Sequence, residues 1–181
     1  ASKENADLVA LTIMNTNTTG LSEAIMVAII MQIMYKKLDL TMILNGALGG
    51  LVSITAGPDL YDIYTPILIG AIGGCLVVFG VSFFDKVRID DPVGALSVHL
   101  VNGIWGTIAV GIFASNGDDI TLLGQLKGII LIGIFAFVSS YIILFIINKI
   151  MPLRAGNDEE MQGLDVEECG LEAYPEFKRA F

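Results

Sequence analysis

Val93-Gly94-Ala95-Leu96-Ser97-Val98-His99-Leu100-Val101-Asn102-Gly103-Ile104-Trp105-Gly106-Thr107-Ile108-Ala109-Val110-Gly111-Ile112-Phe113-Ala114 is the stretch that decides how this chain folds. It is 22 residues long and carries one ionisable side chain, His99, which is also the chain's only histidine. At about 1.5 Å per residue, a helix of that length crosses a hydrocarbon core of about 30 Å. An ionisable group at that depth is costly unless it faces a cavity or a partner, so His99 is a candidate functional residue. The alternative at this point is a neutral imidazole bonded to a neighbouring helix. At about 100° per residue, Ala95, His99, Asn102, Gly103 and Gly106 share one face, with Ser97, Val101, Ile104 and Ile108 opposite. Small neighbours leave room beside the ring, as the wall of a narrow conduit or a close helix contact would.

Outward from this stretch the chain stays apolar. Mean hydropathy is +0.73, with 54% apolar and 16% charged residues, outside the range of a soluble domain. Five spans are expected, at about residues 6–35, 42–57, 63–84, 93–114 and 126–147. They make residues 1–150 an all-α polytopic membrane domain and 151–181 a separate tail. The first span carries Asn15-Thr16-Asn17-Thr18-Thr19 near its middle, which needs other helices or a wet cavity to satisfy it. Gly46/Gly50 and Gly70/Gly74 are small-xxx-small pairs, read as close helix packing in preference to a pore lining.

Charge fixes the expected orientation. Lys36, Lys37, Lys86, Arg88, Lys149, Arg154, Lys178 and Arg179 fall on one side of these spans, and only Lys3 and Lys127 on the other. Cations favour the cytoplasmic side, so the start is expected outside and the tail inside. The outer loops carry Asp59, Asp62, Asp118 and Asp119 instead. Ala1-Ser2-Lys3 gives no sign of a signal peptide. Cys75 and Cys169 lie far apart without metal-ligand spacing. No nucleophile–base pair, metal cluster or phosphate-binding glycine loop is readable, so an enzyme, a metal, a cofactor and a nucleic-acid partner are not expected.

Asp90-Asp91-Pro92-Val93-Gly94-Ala95, Val98-His99, Gly103-Ile104-Trp105-Gly106-Thr107 and Gly111-Ile112-Phe113-Ala114 together resemble the signature of the ammonium transporter (Amt/MEP/Rh) family. Asn15-Thr16 and Asn45-Gly46-Ala47-Leu48-Gly49-Gly50-Leu51-Val52-Ser53-Ile54-Thr55 match as well. The tail from Gly163-Leu164-Asp165-Val166-Glu167-Glu168-Cys169-Gly170 to Glu172-Ala173-Tyr174-Pro175-Glu176-Phe177 is similar to the Amt branch. The resemblance implies an inverted-repeat fold of eleven helices, of which this chain holds the last five, assembled as a homotrimer with one pore per subunit. It implies that His99 is the second of two pore histidines, with Ala95, Asn102 and Gly103 beside it. Asp90 and Asp91 would be a structural motif.

A narrow, largely apolar pore favours neutral ammonia, because stripping water from bare ammonium is costly. An imidazole could bond ammonia or relay the proton left behind. The resemblance implies that the other histidine and the outer ammonium-recruiting site belong to a half that precedes these helices in the family. Leu100 stands where the family usually has glycine, and Ala56-Gly57-Pro58-Asp59-Leu60-Tyr61 replaces a common Pro-Ala-Cys-Gly-Tyr pattern.

In the tail, Asn157-Asp158-Glu159-Glu160 reads as a solvated, mobile stretch. Asp165 and Glu168 resemble a capping box, Gly170 can close a turn, and Tyr174, Phe177 and Phe181 offer apolar docking. The resemblance implies a cytoplasmic coupling tail built on Gly163, Leu164, Asp165, Gly170 and Tyr174 that touches the neighbouring subunit. It also implies a PII-type regulatory protein as a partner at the same face. The expected function is ammonium transport. The alternatives are an ammonium sensor and a non-conducting regulatory subunit or fragment.

Overall fold

Four of the helices begin where a side chain takes up free N–H groups of the first turn. Ser2 Oγ accepts from Asn5 N–H at 3.3 Å and opens α1, Lys3–Tyr35. Asp39 Oδ1 accepts from Met42 N–H at 3.0 Å and opens α2, Leu40–Ile54. Asp62 Oδ1 accepts from Thr65 N–H at 2.7 Å and Tyr64 N–H at 3.0 Å, and α3 follows over Thr65–Lys86 with Pro66 in its first turn. Those bonds, the Thr65 N–H first, hold the Asp62 carboxyl below its usual range. A π-helical turn, Leu96–Val101, then runs into α4, Asn102–Phe113. Thr121 Oγ1 accepts from Gly124 N–H at 3.1 Å as α5, Leu122–Ile150, begins. Two short helices close the series, α6 (Asn157–Gln162) and α7 (Leu164–Cys169).

This is a computed structural model, and it describes residues 2–114 and 120–175. Asp118, Asp119, Phe177, Lys178, Arg179 and Phe181 lie outside the described residues. All regular structure among the described residues is helical. Four helical stretches are long and apolar enough to cross a membrane: Asn5–Tyr35, Thr65–Lys86, Leu96–Phe113 and Leu122–Ile150. The 15-residue α2 is apolar but shorter. It stops at Ile54 rather than near 57, because Thr55 N–H turns back to Val52 O and Gly57 N–H to Ile54 O ahead of Pro58.

Residues 1–131 form one compact unit and 132–181 another. In the first unit α1 is the central element. Its buried stripe runs Asn15, Thr19, Glu23, Val27, Met31, a strict i, i+4 row that is polar for three of its five positions. α2 and α3 lay glycines against it. A side chain at Gly50 or Gly70 would strike the Thr19 carbonyl, and one at Gly46 would strike Val27. The small-residue pairs are therefore packing surfaces for α1. Two apolar clusters flank the polar row: Ile54, Tyr61, Ile69, Ala109 and Val110, and Val27, Met31, Val77 and Val78.

The second unit is built differently. None of the residues of α5 is buried, and Phe137, Tyr141 and Phe145 stack at 6.4 Å intervals along it, with Lys149 over the last ring. The stretch expected to be solvated and mobile is α6. Glu159 accepts from Gly156 N–H at 2.5 Å, and the acids of the first turn complement the helix dipole. Arg154 adds an ion pair to Glu160 at 3.1 Å, exposed and so worth little.

Candidate functional site

His99 is exposed in this chain, and so is Ala95 one turn before it. Gly103 is half-buried, with only Val52 within reach of a side chain placed there. These three keep the small-residue surroundings that the sequence implies. Asn102 does not join them. It is fully buried, as are Ser97 and Val98, and Gly106 packs against the Ser53 backbone. Ile104, expected opposite His99, is exposed instead. The cause is the π-helical turn. Its i→i+5 bonding adds a residue to one turn, so every position after Val101 is rotated relative to a regular α-helix.

The turn is held at both ends. Asp91 Oδ2 accepts from Leu96 N–H at 3.1 Å, and Gly94, at φ 74°, donates its N–H to Asp91 O at 3.1 Å. Val98 N–H then reaches Gly94 O at 2.8 Å. A left-handed residue suits glycine, which explains Gly94 directly after Pro92-Val93. Asp91 thus starts the segment that carries His99, while its neighbour Asp90 is exposed. At the far end, Asn102 N–H bonds back to His99 O.

Buried under this segment is a group that the sequence reading passed over, Glu23. Its Oε1 accepts from Asn102 Nδ2 at 2.7 Å and its Oε2 from Ser53 Oγ at 3.4 Å. Gly49 and Gly73 face the carboxyl so closely that neither position has room for a β-carbon. A carboxyl at membrane depth costs on the order of 3 kcal/mol by insertion scales, so it survives only with partners of this kind. The signal in the sequence is the i, i+4 row Asn15, Thr19, Glu23, a polar register that apolar length alone does not bring out.

Towards the loop between α2 and α3, Asn15 Nδ2 donates to Pro58 O at 2.8 Å and Tyr61 O at 3.3 Å. Those bonds use the Asn15 NH2 group, while its Oδ1 is buried without a hydrogen-bond partner among the described residues. Asn17 is exposed and bonds Ile13 O of its own helix at 2.8 Å. Tyr61 is 1% exposed, and burial pushes its hydroxyl up to about 12. Trp105 Nε1 donates to Ile69 O at 3.0 Å and ties α4 to α3.

In the tail, Gly163 (φ 102°) and Gly170 (φ 67°) bracket α7 in conformations that favour glycine. Asp165 is not the helix cap expected of it. Gly163 holds the cap position, and Asp165 Oδ2 accepts from Ala173 N–H at 2.8 Å, folding the chain after Gly170 back on the helix. Leu164 and Tyr174 are exposed.

The Ammonium Transporter Family matches residues 1–174. The chain belongs to this family. A Synechocystis protein is 42% identical over 75% of this chain and 30% of its own length. An ammonium transporter of Archaeoglobus fulgidus is 33% identical over 90% of this chain and 38% of its own. Among solved structures, a sensor Amt protein is similar at 29% identity and a TM-score of 0.81, over 89% of this chain and 42% of its own. The chain therefore spans less than half the length of these relatives. Membership of the family accounts for the all-helical fold and its apolar, membrane-length helices.

Proposed function

We propose that these residues are the carboxy-terminal part of an ammonium transporter in which His99 lines the conduction path. One observation carries the reading. His99 is exposed while Ser97, Val98 and Asn102 around it are buried, so the only titratable side chain of this segment faces away from the chain's own core. In a membrane such a group needs a polar partner or a wet path on that side. An inverted-repeat carrier supplies one, because its site lies between the two halves. Dehydration disfavours bare ammonium in a narrow apolar passage, and an imidazole can bond ammonia or carry the released proton.

The same reading makes the assembly a homotrimer in the cell membrane, with the first residue outside and the tail in the cytoplasm. Gly163, Leu164, Asp165, Gly170 and Tyr174 couple subunits through the tail, and a PII-type protein docks at that face. Methylammonium uptake tests it, in cells lacking their own ammonium carriers. The chain co-expressed with the amino-terminal half of a family member is expected to transport, and neither half alone. Uptake by this chain alone would contradict the two-half site. An assembled pair without uptake would favour a sensor or a non-conducting regulatory subunit. The sensor reading has one observation in its favour, the structural similarity to a sensor Amt protein.

A further inference from the structure

Glu23 reaches His99 through two bonds. Its carboxyl accepts from the Asn102 side chain at 2.7 Å, and the Asn102 backbone N–H closes the π-helical turn on His99 O. Asn102 can meet Glu23 only because the extra residue of that turn rotates it inward, away from the face that carries His99. In a regular α-helix the two residues would share a face, as the sequence periodicity has it. The π-turn and the buried carboxyl therefore imply each other. The three neighbouring helices are cut to fit the pair: Gly49 and Ser53 from α2, Gly73 from α3, and Asn102 from α4.

We propose that Glu23 is a positioning residue for His99, locking the π-helical turn so that the imidazole is presented outward while Asn102 is held in the core. The proposal rests on the reading of His99 as a pore residue, but its geometry can be tested apart from transport. Glutamine at position 23 keeps an oxygen for Asn102 Nδ2 and an amide for Ser53 Oγ, whereas alanine leaves the Asn102 amide without its acceptor. The role is thus one of shape and hydrogen bonding, and the conservative variant preserves it.

The experiment uses the assembled two-half transporter with native cysteines replaced, carrying His99→Cys as a reporter for labelling by a membrane-permeant maleimide. Methylammonium uptake is measured in parallel with His99 intact. Glu23→Ala is expected to change the labelling rate at position 99 by about tenfold and to lower uptake through Vmax rather than KM, whereas Glu23→Gln stays within about twofold on both measures. Where Glu23→Ala does not assemble, Asn102→Leu takes its place with the same expectation. Unchanged labelling in an assembled Glu23→Ala or Asn102→Leu protein would overturn the proposal. So would a Glu23→Gln protein that assembles normally yet loses uptake, since the charge or proton would then be what matters. Absent uptake with intact Glu23, together with the expected labelling change, would sink the transport reading and leave the positioning role standing.

Discussion

α1 and α5 are the two longest helices, 33 and 29 residues, and they use opposite chemistry. α1 is the less apolar, yet it is the helix that the first unit is built around, through Asn15, Thr19 and Glu23. α5 is the most apolar, and none of its residues is buried among the described residues. In water the order would be reversed. In a bilayer, lipid gives no hydrophobic drive for helices to associate, so glycine contacts and interhelical hydrogen bonds do that work. The difference teaches that in this molecule a polar row at i, i+4 spacing marks a contact, whereas apolarity all round a helix does not.

Valine at glycine positions tests this most strongly. Gly73→Val drives a side chain into the Glu23 carboxyl and is expected to cost on the order of 3 kcal/mol and most of the assembled protein. Gly133→Val in α5 meets nothing within 4 Å and should leave thermal stability in detergent unchanged. Equal losses at the two sites would break the comparison. Asn15→Leu removes two bonds to the loop between α2 and α3 and is expected to cost about 1–2 kcal/mol, read by the same melting curves.

Gly170→Asp sharpens the comparison in the tail. A side chain at φ 67° is strained, so α7 should lose its end and uptake should fall without loss of the membrane assembly. In the proposed trimer, mixed assemblies with one altered tail should lose more than a third of their flux. Loss in strict proportion to altered subunits would remove coupling. The smallest effect is at Tyr61. Its folded pKa of about 12 exceeds the ordinary value of 10, so its contribution is intact below pH 10 and is lost as pH rises through about 12. Tyr61→Phe should flatten the fall in melting temperature across that window, and an unchanged slope would remove Tyr61 as its source.

Much of this was legible from apolar length alone, because a crossing helix needs about 20 apolar residues whatever its neighbours are. Helix ends were less legible, since they depend on local caps such as Thr121 at α5 and the turn before Pro58 at α2. The family was readable from residues 90–114. A 3.6-residue period places Asn102 beside His99, and the π-turn at Leu96–Val101, which that period does not foresee, turns it into the core. Glu23 stands in an i, i+4 row with Asn15 and Thr19, but its neighbours come from three other helices, so the row marks a polar register without naming what it meets. α6 is exposed, as its composition implies, and its helical form comes from the Glu159 cap, which composition alone does not bring out.

The most direct measurement is methylammonium flux into vesicles containing the assembled transporter with His99→Ala, in competition with potassium. The account predicts that uptake falls about tenfold or more, or that potassium begins to compete, at normal assembly yield. Flux and selectivity equal to those with histidine in place would make His99 a structural hydrogen-bonder and contradict the account.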